Sequence, residues 1–144
     1  MSGLDTVEKY RKDVLDFKAV EMQELTARLD KELQMLDEIE VAREKNREEM
    51  ALMQAEGEAV ETLLLYIGYE AYMEFAMEEK KNEIARLDAL VERKKEEVIE
   101  ASKESKIVEM AIARVESRKA LDVQRCERKF QDDAACISFI RQKR

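Results

Sequence analysis

Apolar residues in the second half of the chain recur in alternating steps of three and four. Ile84, Leu87, Val91, Val98, Ala101, Val108, Ile112 and Val115 keep this phase, with Lys94 and Ser105 as polar members of the same stripe. A stripe sustained over more than four heptads predicts coiled-coil packing, and polar seam residues give up stability while fixing register. After Val115 the pattern changes. Lys119, Val123, Cys126, Phe130, Ala134 and Ile137 use more steps of four, a spacing that relaxes left-handed supercoiling and predicts a straighter final helix.

The first half is weaker. Val7, Tyr10, Val14 and Phe17 form one stripe, and Met22, Leu25, Leu29, Leu36, Ile39, Met50 and Met53 form another after a phase shift. Glu32, Arg43 and Asn46 fall at seam positions of the second register, which reads as a loosely specified arm. Two amphipathic helices need partners for their stripes. An intramolecular antiparallel hairpin supplies one solution, and a continuous helix that dimerises supplies the other. The stretch "MQAEGEA" places Gly57 among polar neighbours, where a helix can stop and reverse. Gly68 is the rival hinge. It would give nearly equal arms and set the two phase shifts opposite each other, but it sits inside the apolar "LLLYIGY". The expectation is an all-α, two-helix antiparallel coiled-coil hairpin in a single domain. Its first helix covers about 4–54, its turn about 55–59 and its second helix about 60–140, which leaves the C-terminal end overhanging.

Composition agrees with long helices. Of 144 residues 42% are charged, proline is absent, and there are three glycines; few chain reversals can be built from such a sequence. Residues 111–144 carry nine Lys/Arg against five Asp/Glu, a local +4, so residues 1–110 carry −12 within the net −8. The acidic total disfavours nonspecific binding to nucleic acid or anionic membrane. The N-terminal "MSGLDTVEKYRKD" lacks an apolar signal core. The uncharged run at residues 62–69 is far shorter than the roughly 20 residues of a membrane span. A cytoplasmic protein is expected, with no direct membrane insertion.

Catalytic groupings are missing. With no histidine, neither a Ser-His nor a Cys-His pair can form. There is no Gly-rich phosphate loop and no CxxC, so neither enzyme activity nor a metal or other cofactor is expected. Cys126 and Cys136 would lie about 15 Å apart along one helix, too far for an internal disulfide.

The stretch "ETLLLYIGYEAYMEFAMEE", residues 61–79, holds four of the chain's eight aromatics. Tyr66, Tyr69, Met73, Ala76 and Lys80 lead into the seam at Ile84, while Tyr72 and Phe75 lie off that line. One seam cannot bury them all. The stretch either folds into a small local core or presents a docking surface, aromatic side chains being common interface anchors.

The aromatic "YIGYEAY" after the turn, followed by "VIEASKESKIVEMAIARVESRKALDVQRCERKFQDDAACISFIRQK", resembles the FliJ family of flagellar type III export proteins and the related stalk proteins of type III secretion. The run from Glu100 to Ser105, and then Arg125, Glu127, Lys129, Asp132, Asp133 and Ala134, carry the likeness most closely. The resemblance implies a central stalk for a hexameric export ATPase, entering the ring by the end that holds both termini. It also implies contact with the cytoplasmic domain of a membrane export gate through the surface nearer the turn, and association with export chaperones. Carried over by position, the gate-facing residues are Ile39, Tyr69, Tyr72, Met73 and Ala76. The candidate ring contacts are Arg118, Lys119, Arg125, Arg128, Lys129 and Arg141, with Phe130, Ile137, Phe139 and Ile140 as apolar support. Ala42 and Asn46 stand where the family's first arm is richer in aromatics. A generic coiled-coil scaffold or dimeric adaptor is the other reading of the same pattern.

Overall fold

The structure is a computed structural model describing residues 3–143. Two helices, α1 (Gly3–Ala55) and α2 (Val60–Gln142), make an all-α antiparallel hairpin. The reversal is built by Gly57, whose φ of 75° is open to glycine and strained for residues with a Cβ. Its N–H reaches the carbonyl of Gln54 at 3.3 Å and the N–H of Glu58 reaches that of Met53 at 3.1 Å. This pair of bonds is a Schellman motif, which satisfies the last carbonyls of α1. Ala59 starts α2 by accepting from Thr62 and Leu63, and Glu61 places a negative charge beside the N-terminal dipole. Gly68 lies within α2, with nothing crowding it.

The described residues form two compact units. One spans Asp16–Ile99 and the other joins residues 3–15 to 100–143. Within the first, four cross-helix contacts define the register. Asn46 Nδ2 donates to the Tyr66 carbonyl at 3.1 Å, and Arg43 Nε donates to Glu70 Oε1 at 2.7 Å. Lys80 Nζ meets Glu32 Oε2 at 2.7 Å, and Lys94 Nζ meets Glu21 Oε2 at 3.0 Å. As one helix advances the other recedes, so the pairing is antiparallel. Between these polar layers Met73, Met77 and Leu87 are buried. The charged and amide residues at seam positions do not loosen the first arm, because each finds a complementary group across the interface. Such matched layers oppose slippage by a heptad, since sliding would set charges against apolar side chains.

In the other unit Ala101 and Ser105 are buried and Arg11 pairs with Glu104. Here α1 turns Leu4, Glu8, Arg11 and Leu15 inward. The stripe read through Val7, Tyr10, Val14 and Phe17 is corrected: Val14 is half-buried, but Val7, Tyr10 and Phe17 are exposed, Tyr10 at 60% and Phe17 at 67%. The inward positions continue the heptad phase of the rest of α1. The apparent phase shift arose because Glu8, Arg11 and Lys18 occupy seam positions where an apolar count passes over them.

Candidate partner-binding surfaces

Within the Asp16–Ile99 unit, Ile39, Tyr69, Tyr72, Met73 and Ala76 line a single groove of about 230 Å³, together with Met35, Glu38 and Ala42. Local sequence explains its shape. Met73 turns into the seam and forms the floor. Ala42 and Ala76 are small, so the surface dips between the two helices. Tyr69 and Tyr72, three residues apart and so neighbours on the helix surface, stack with ring centroids 6.3 Å apart and an interplanar angle of 13°. They make a preformed aromatic ledge. Tyr72 is 65% exposed, so the aromatic stretch does not close into a local core. Leu64, Leu65, Ile67 and Phe75 are exposed as well.

The seam through this stretch runs Tyr66, Glu70, Met73, Met77 and Lys80. Tyr69 and Ala76 flank it rather than form it, which corrects the register read from the sequence. The displacement leaves Tyr69 and Ala76 beside the seam, where they line the groove over Met73. A second hollow of about 690 Å³ shares Ile39, Tyr72 and Ala76 and continues past Glu79, Asn82 and Arg86.

The borders of the groove are charged but largely paired. Glu70 accepts from Arg43 and from Arg47, and the Arg43 hydrogen bond, ahead of that from Arg47, holds its carboxyl below the ordinary glutamate range. Arg86 lowers the Glu83 carboxyl in the same way through an Nη2–Oε1 contact of 2.6 Å. The groove therefore offers apolar surface with neutralised or acidic edges. It suits an apolar side chain from a partner.

The 3–15/100–143 unit carries a different surface. Leu4 and Asp5 of α1 form a notch with Ile112, Val115, Glu116 and Lys119 of α2. From residue 113 onward every described residue is exposed, including Phe130 at 75%. At about 100° per residue, Val123, Cys126, Phe130, Ala134 and Ile137 continue the seam stripe beyond its α1 cover. Arg114, Arg118, Arg125 and Lys129 make a basic stripe on the other side. Arg118 and Arg125 share a hollow with Leu121 and Asp122. Of the six basic residues read from the sequence, Arg118, Arg125 and Lys129 share a face and Arg128 adjoins it. Lys119 and Arg141 instead fall on the apolar stripe, so the six do not form one patch.

Sequence reasoning passed over Met35 and Glu38 of the groove. Their signal was available in the heptad spacing from Ile39, once α1 had been phased against α2. Among the described residues no helix is long and apolar enough to cross a membrane, and no cluster of His, Cys, Asp or Glu could hold a metal ion.

The family model described as "Flagellar FliJ protein" matches residues 1–144. No curated protein and no solved structure matches the chain.

Proposed function

The chain belongs to the FliJ family of non-catalytic flagellar export components, and from that premise we propose that it serves as the central stalk of the export ATPase and as a chaperone-like adaptor at the export gate. The exposed end of α2 binds the hexameric ATPase. The Tyr72 groove receives an apolar side chain of the gate's cytoplasmic domain. The protein then works in the cytoplasm, peripheral to the membrane-bound apparatus, and also associates with export chaperones.

The observation that carries the reading is the exposed α2 end, which leaves both an apolar stripe and a set of basic side chains uncovered. A helix that must touch several ring subunits needs side chains not already committed to its own hairpin. Arg118, Arg125, Arg128 and Lys129 supply charge, Lys119 and Arg141 bracket the apolar stripe, and Phe130, Ile137, Phe139 and Ile140 supply contact area. At the groove, Ile39, Tyr69, Tyr72, Met73 and Ala76 provide the mixture of aromatic ledge and small-residue floor that interface anchors use.

The test adds the chain to its cognate export ATPase and follows hexamer formation and ATP turnover. The proposal expects both to rise, and expects Phe130→Ala with Arg125→Ala to abolish the rise. For the groove, Tyr72→Ala should weaken capture of the gate domain by about 2 kcal/mol while melting is unchanged. No response in either system would favour a scaffold without an ATPase partner.

A further inference from the structure

The apolar stripe on the exposed part of α2 has a symmetry that its role as a seam extension does not require. Val123, Cys126, Phe130, Ala134 and Ile137 are separated by three, four, four and three residues. The spacing reads the same in both directions about Phe130. A helix with such a stripe is complementary to itself when reversed, because a two-fold axis beside Phe130 sets Val123 against Ile137 and Cys126 against Ala134. Isologous interfaces require this property.

From this geometry we propose that the exposed α2 segment is a homodimerisation site, in which residues 119–141 of two copies pair antiparallel about Phe130. Three observations favour a second copy over another occupant. The stripe continues the face that α2 already uses against α1 in the 3–15/100–143 unit, so the second copy extends an existing helix–helix interface. Its anchors are all open, with Phe130, Val123 and Ile137 each more than half exposed. At the ends, pairing sets Arg141 of the second copy opposite Lys119, a repulsion that Glu116 in the same notch reduces. The C-terminal end of the incoming helix also meets the N-terminal end of α1, a favourable order of helix dipoles. Pairing occupies the apolar stripe assigned above to the ATPase, so dimer and ring-bound chain exclude each other.

The test uses the full chain alone, so its outcome is independent of the ATPase reading. Sedimentation is measured from micromolar to millimolar concentration. The wild-type chain should pass from monomer to dimer, and Phe130→Glu, which sets two carboxylates against each other on the axis, should weaken dimerisation on the order of 100-fold or more. Because Phe130 is exposed, circular dichroism of that variant should match wild type. Orientation is read by mild oxidation. In a Cys136→Ser background the two copies of Cys126 sit about 12 Å apart along the axis, beyond disulfide reach, and no covalent dimer should form. Adding Ala134→Cys should produce one through a bond between positions 126 and 134. A chain that stays monomeric at millimolar concentration overturns the proposal. So does a covalent dimer from Cys136→Ser alone, which would mean parallel pairing, or failure of Ala134→Cys to cross-link.

Discussion

Replacing Leu87 by alanine should destabilise the hairpin far more than replacing the larger Phe130. Leu87 is 1% exposed, whereas Phe130 is 75% exposed. The register set by Lys80–Glu32 and Lys94–Glu21 puts Leu25 across from Leu87, between two polar layers that resist movement. Truncating a buried leucine costs about 2–5 kcal/mol, the spread reflecting how far the hole collapses. In a two-helix layer water is close and collapse is easier, so the lower part of that range applies, about 2–3 kcal/mol. At about 2–4 °C per kcal/mol for a chain near this size, the melting temperature should fall by roughly 5–10 °C. Phe130→Ala removes a side chain already in water and should change stability by less than about 0.5 kcal/mol. Both variants are compared by thermal and urea unfolding at low protein concentration, to keep self-association from contributing. Equal losses in the two variants, or no loss at Leu87, would refute the division between seam and exposed segment.

Further outcomes separate the other features. Gly57→Ala forces a Cβ onto a residue at φ 75° and should cost about 1 kcal/mol. Gly68→Ala, in an uncrowded helical position, should stabilise by about 0.5–1 kcal/mol; differential scanning calorimetry of the pair checks both signs. Lys80→Glu places a carboxylate against Glu32 and should lower the melting temperature, with the added Glu32→Lys change restoring most of the loss. Acid should also weaken the fold. The Glu70, Glu83 and Glu97 carboxyls are held below their ordinary range, chiefly by hydrogen bonds from Arg43, Arg86 and Lys94. Their contribution is therefore complete above the unfolded value of about 4.3 and is lost as pH falls through the lower folded values. Melting followed from neutral pH downward should decline in that window, and a melting temperature flat through it would contradict the assignment.

The two-helix hairpin was legible because period and composition act along one strand of sequence. The heptads from Ile84 to Val115 and the absence of proline needed no knowledge of a partner. The phase of α1 was not legible for a physical reason. Arg11, Glu32, Arg43 and Asn46 look like outward residues until Arg11 meets Glu104, Glu32 meets Lys80, Arg43 meets Glu70 and Asn46 meets the Tyr66 carbonyl. Polar complementarity is a property of two positions, and a hydrophobic count sees only one. The same effect displaced the aromatic register. Tyr69 and Ala76 outrank Glu70 and Met77 as seam candidates by polarity or position, yet Arg43 and Arg47 draw Glu70 inward. The groove followed from that displacement, and its α1 wall at Met35 and Glu38 became visible only with both helices in register.

The central claim, that the exposed α2 end drives the export ATPase, is tested most directly by ATP turnover of the cognate ATPase titrated with wild-type chain and with an Arg118→Glu/Arg125→Glu/Lys129→Glu variant. The account predicts saturable stimulation by the wild type and none by the variant, both chains having the same helicity. Turnover unchanged by the wild-type chain, or stimulated equally by the charge-reversed variant, would contradict it.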